Sequence, residues 1–256
     1  MVGQEKWIKT ADGTFVFVEI FGQGQPLVFL HGNSSSSRYF KQQVAFFAQN
    51  YQVIVVDSRG HGRTRAVAKT ISFEQMADDL HQVFVILGLK TAILVGHSDG
   101  ANLAMIFYPQ AVEGMLLNSG NITTKALHFA DRLLTWLAYG FLAFLSPVFP
   151  SFKAKSRVIH LMLQDLTVKR GDLAAVRVPV LVLVGNHDVI KVSYSKALAS
   201  YFPKGIFYPL KGFGHNIVKK DSQTFNRITN QFIKHILLGV PFESRSWKNQ
   251  APYLYY

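Results

Sequence analysis

The chain has 256 residues, 49% of them apolar and 16% charged, a globular composition with enough length for one domain and a large core. It has no cysteine, which excludes disulfides, thiolate metal sites and a cysteine nucleophile. The formal net charge is +12. Residues 1–120 hold nine Lys/Arg and nine Asp/Glu, and residues 121–256 hold eighteen and six, so the excess lies in the second half. No compact Lys/Arg run or nucleic-acid motif accompanies it, so no nucleic-acid partner is expected, and scattered basic surface is the simpler reading.

In chain order, buried-strand patterns fall at Thr14–Ile20, Leu27–Leu30, Gln52–Val56, Ala92–Val95, Val112–Leu117, Val180–Val184 and Ile206–Leu210. Helical patterns fall at Tyr39–Ala48, Phe73–Leu87, Ser98–Phe107, Tyr194–Phe202 and Ser222–Leu238. In the second helix Phe73, Met76, Ala77, Leu80, Phe84 and Leu87 share one face, opposite Asp78, Asp79 and Gln82. Such alternation implies a mostly parallel sheet covered on both faces. It stops between Asn118 and Pro179. Residues 119–178 carry no strand pattern, and their centre, Leu133 to Pro150, is markedly apolar. This segment reads as a helical cap between core stretches 1–118 and 179–256, with Trp136, Phe141 and Phe144 expected to line a pocket beneath it. A spanning helix needs about 20 apolar residues, and this run is interrupted by Gly140 and Pro147. Lys153, Lys155 and Arg157 follow it, which would suit contact with a membrane surface, but the pocket roof is the preferred reading. The start of the chain has no apolar h-region, and the cytoplasm is the expected compartment.

The chemistry concentrates at strand ends. Ala92–Val95 runs into Gly96-His97-Ser98-Asp99-Gly100 and then a helical run. A Gly-x-Ser-x-Gly turn between strand and helix lifts the serine into a strained, exposed position at a helix N-terminus, where free N–H groups can stabilise an oxyanion. Val180–Val184 leads to Asp188, and Ile206–Leu210 leads to His215. A serine hydroxyl is a poor nucleophile until a histidine takes its proton, and that histidine needs a carboxylate to fix its tautomer. Upstream, Leu27–Leu30 is followed by His31-Gly32-Asn33, where a second oxyanion N–H is expected from Asn33, alongside that of Asp99. Asp57 reads as a brace for the Arg59-Gly60-His61 loop, and His97 as an inward-packed elbow residue. Asn118 is an amide and cannot serve as the acid. No cluster has metal-ligand spacing and no phosphate or dinucleotide fingerprint is present, so no cofactor or metal is expected.

With His31-Gly32, Asp57-Ser58-Arg59-Gly60-His61-Gly62, the Ser98 turn and the Asp188/His215 pair in view, the sequence resembles the α/β-hydrolase family from about Thr14 to Leu238. The resemblance implies an eight-stranded, mostly parallel sheet with a helical cap inserted after the sixth strand. It implies Ser98 as nucleophile, His215 as base and Asp188 as orienting acid. Serine at 98 argues against the branches that place an aspartate there. The expected activity is cleavage of small to medium apolar esters through an acyl-enzyme. The alternatives are amide, lactone or carbon–carbon cleavage on the same triad, a membrane-surface lysophospholipase, or a ligand sensor without turnover.

Overall fold

The computed structural model describes residues 2–67, 70–108 and 111–242. The core stretch expected over 179–256 thus continues, after residue 242, outside the described residues. Eight strands form one sheet: β1 (Gln4–Lys9), β2 (Phe15–Phe21), β3 (Pro26–Leu30), β4 (Gln52–Val56), β5 (Ala92–His97), β6 (Val112–Asn118), β7 (Val180–His187) and β8 (Gly205–Gly214). Their spatial order is β1-β2-β4-β3-β5-β6-β7-β8. β2 is antiparallel to both β1 and β4, and the remaining pairs are parallel.

Period-two alternation explains the layering. Val28, Leu30 and Leu94 point into one buried layer, and Leu27, Phe29, Ile93 and Val95 into the other. The first layer is closed by α2 (Phe73–Leu87), α3 (Asp99–Ile106) and α7 (Val192–Ala199), the second by α1 (Lys41–Phe47), α8 (Ile217–Lys220) and α9 (Ser222–Leu238). α2 has the bounds its periodicity predicts. Ser72 and Gln75 close a capping box at its start, and Gly88, at φ 65°, ends it in the left-handed conformation. α9 also keeps its predicted bounds.

Several elements differ from the sequence pattern. β1 carries no apolar run: only Ile8 is buried, and the strand is held as an edge by pairing with β2. The expected Tyr39–Ala48 helix begins as a 3-10 turn, Ser37–Phe40, before α1. β7 and β8 run past their apolar segments, with His187 still paired to Gly214. Pairing overrides the weak strand preference of Gly-Asn-His there.

Between β6 and β7 the chain forms a 3-10 turn (Thr124–Ala126) and three helices: α4 (Phe129–Leu145), α5 (Pro150–Leu161) and α6 (Arg170–Ala174). Strand order reverses at β3, whose neighbours are β4 on one side and β5 on the other. Their connections leave in opposite directions and open a crevice at the carboxyl ends of these strands, where a parallel sheet binds ligands.

Candidate active site

Ser98 lies at that crevice. Its φ of 54° and ψ of −120° are an unfavourable backbone conformation for any residue other than glycine. The surroundings hold it there. Ser98 N–H donates to Asn118 O at 2.8 Å, and α3 starts at the next residue. The two glycines of the turn are obligatory by space: a Cβ on Gly100 would sit 1.9 Å from Leu30 O, and one on Gly96 would sit 2.5 Å from Gly100 O. Gly32 brings the loop after β3 against the turn, since its Cβ would lie 3.0 Å from Ser98 Cβ.

Asp188 and His215 follow two adjacent strands, which sets them side by side. His215 Nδ1 is 2.8 Å from Asp188 Oδ1. Asp188 also accepts the Ile190 N–H at 3.1 Å and the Ser119 hydroxyl at 2.6 Å. Burial pushes its carboxyl up, but the hydrogen bonds from His215, Ser119 and Ile190 outweigh this and hold it below the usual carboxylate range. With Nδ1 engaged, Nε2 is the nitrogen His215 can offer a reactant. Ser98, Asp99, Asn102, Leu161, Met162 and His215 line one cavity of about 30 Å³, together with Asn121, Leu127, Gln164, Val189 and Ile190.

Asn33 reaches this region with its side chain. Its Nδ2 donates to Asp99 Oδ2 at 2.8 Å and to Val158 O at 2.7 Å. That ties the β3 loop, the first turn of α3 and α5 together. Burial pushes the Asp99 carboxyl up to about 6, against the opposing pull of Asn33 and His215. The carboxylate is turned toward Asn33 and Asn102.

The other histidines and acids take supporting positions. His97 is buried, stacked on Tyr39 with ring centroids 4.8 Å apart, and accepts the Asn118 amide at Nδ1. Burial, reinforced by His215, keeps its ring neutral. Asn118 thus serves the elbow through His97. Asp57 accepts the backbone N–H groups of Ser37 and Arg63 at 2.6 and 2.7 Å. Arg59 is buried against Asp79 and Asp12.

The pocket residues require correction. Trp136, Phe141 and Phe144 are 52, 60 and 81% exposed, and none of them lines the cavity at Ser98. The apolar wall comes instead from the end of α5 and from the loops after β6 and β7. α4 turns its aromatic face outward, a direction that periodicity alone does not reveal. Ser119 is the functional candidate that the motifs missed. Its signal was its place directly after β6, and it takes a φ of 58°, rare for a serine.

The profile of the Alpha/beta hydrolase family matches residues 27–210. The AB hydrolase superfamily protein YisY of Bacillus subtilis is 27% identical over 88% of this chain and 98% of its own length. Protein ABHD8 of Mus musculus is 26% identical over 81% of this chain, and the match spans about half (54%) of that protein. Among solved structures, a thermophilic esterase from Thermogutta terrifontis superposes with a TM-score of 0.75 at 21% identity, covering 91% of this chain and 99% of its own.

Proposed function

Since the chain belongs to the α/β-hydrolase family, we propose that it is a serine hydrolase cleaving carboxylic esters through an acyl-enzyme on Ser98. The observation that carries this reading is the single cavity into which Ser98 and an Asp188-held His215 both project. His215 Nε2 takes the Ser98 proton as Oγ attacks the ester carbonyl. The backbone N–H groups of Asn33 and Asp99 receive the oxyanion. His215 then passes its proton to the leaving alcohol, and afterwards takes one from water as the acyl group is hydrolysed. Asp188 keeps the ring in the reactive tautomer and stabilises the imidazolium. No cofactor enters these steps.

Leu127, Leu161, Met162, Val189 and Ile190 on the cavity wall favour an apolar acyl group, and the volume of about 30 Å³ sets the expected size at the small end of the small-to-medium range. In this reading the helices between β6 and β7 form the cap, residues 119–178, and the cytoplasm is the proposed compartment. The test is a panel of p-nitrophenyl esters of increasing acyl length, with a lactone and an anilide, together with fluorophosphonate labelling. Turnover of short esters, with label on Ser98 alone and both lost in Ser98→Ala, is the expected result. Undiminished turnover in Ser98→Ala removes the mechanism, and a preference for the lactone or anilide reassigns the substrate.

A further inference from the structure

α4 is amphipathic the wrong way round for a helix of a closed globule. None of its residues is buried. Its exposed face carries Phe129, Leu133, Trp136, Leu137, Phe141 and Phe144, related by steps of three and four. Its polar side chains, Asp131, Arg132, Thr135 and Tyr139, fall instead on the half-buried side. Aromatic side chains each offer about 150–250 Å², so this face leaves several hundred Å² of contiguous apolar surface open. A monomer rarely does so without a partner.

The charges around it identify that partner. α5, packed against α4, adds Lys153, Lys155 and Arg157, and Arg132 lies over the Phe129 ring. Asp131 is the one acidic residue on the two helices. A two-fold contact between copies would bring two net-positive surfaces face to face, which is unfavourable. An exposed apolar helix face, carried on a helix pair whose exposed charges, Lys153 and Lys155, are both cationic, instead fits the boundary between acyl chains and anionic headgroups. Among the described residues no helix is long and apolar enough to cross a membrane, so the helix would lie on a bilayer rather than span it.

We propose that α4 and α5 form a docking surface for anionic lipid bilayers, with Trp136, Phe141 and Phe144 entering the acyl boundary and Lys153 and Lys155 meeting the headgroups. This holds whatever reaction Ser98 performs.

The experiment is sedimentation of the full chain with phosphatidylcholine vesicles, with and without about one third phosphatidylglycerol. Binding is expected to the anionic vesicles, fading in about 0.5 M salt, where charges more than a few ångströms apart are screened. The Trp136→Ser/Phe141→Ser/Phe144→Ser variant should lose it while keeping the circular-dichroism melt of the parent. Each basic residue near an anionic surface is worth about fivefold in affinity, so Lys153→Ala/Lys155→Ala should weaken binding about twenty-five-fold. The proposal is overturned if anionic vesicles do not sediment the protein, or if both variants bind as the parent does. It is overturned equally if light scattering shows a dimer that the serine variant dissociates and vesicles do not recruit the parent.

Discussion

Ser119 donates its hydroxyl to Asp188 Oδ2 at 2.6 Å, on the side of the carboxylate away from His215. The acid is therefore held from both ends, and its aim at the imidazole depends on a residue from a different strand end. A hydrogen bond to a charged group is worth about 1.5–3 kcal/mol. Ser119→Ala should lower kcat on the order of tenfold with KM little changed. Steady-state kinetics on a short ester checks this, and a change confined to KM or to thermal stability would remove Ser119 from a positioning role.

Two buried carboxylates, Asp188 and Asp57, differ in proposed role, the first catalytic and the second structural. Asp188→Asn should lower kcat on the order of 10³- to 10⁴-fold, because the amide favours the wrong imidazole tautomer, with little effect on the melt. Asp57 receives two backbone N–H groups. Asp57→Asn sets an NH₂ against one of them and should cost about 1–3 kcal/mol of stability with kcat nearly intact. Paired urea unfolding and turnover measurements decide it, and exchanged effects would exchange the roles.

Asp99 puts a titratable charge on the cavity wall at neutral pH, since its carboxyl is pushed up only to about 6. An ester with a sulfonate on its acyl group should therefore be disfavoured against its neutral analogue. Asp99→Asn should raise the ratio of their kcat/KM values about tenfold, the size of a charge repulsion across a protein site. In the parent the ratio should climb as pH falls through about 6, while in the variant it stays flat. Taking a ratio cancels every pH effect that the two substrates share. A ratio independent of both pH and substitution would place the carboxylate out of reach of the substrate.

His31 makes the fold sensitive to acid. Its Nδ1 donates to Gly32 O at 2.8 Å and its Nε2 accepts the Ser58 N–H at 3.1 Å, so the buried ring is neutral. Burial, with His61 nearby, pushes it down to about 4. The unfolded ring takes its proton near pH 6.5. Between those values the unfolded chain binds more protons, so the stabilisation is complete above about pH 6.5 and is lost as pH falls toward 4, on the order of 3 kcal/mol. His31→Asn should be less stable at pH 7, and its unfolding free energy should vary less between pH 6.5 and 4.5. Parallel pH curves for parent and variant would assign the acid sensitivity to other groups.

Much of the sheet and the chain order of the site were legible because they are written locally. The strand from Ala92, the two glycines around Ser98 and the helix beyond lie within about fifteen residues, and each choice follows from sterics at adjacent positions. α2 and α9 were readable for the same reason: their apolar stripes face a layer that any such stripe would seek. β1 was not, because an edge strand with one buried residue has too little apolar pattern to register.

What the sequence determined by itself is therefore the class of fold, the elbow and the candidates Ser98, Asp188 and His215, since strand ends and backbone turns are short-range consequences of residue type. Tertiary structure alone decided that Ser119 supports the Asp188 carboxylate from 69 residues away, and that Asn33 grips Asp99 and Val158 with its side chain. It also decided the direction of α4. A period of three and four shows that a helix has an apolar face; whether that face looks inward depends on what packs on the other side. Here α5 takes the polar side, and Trp136, Phe141 and Phe144 are left facing out.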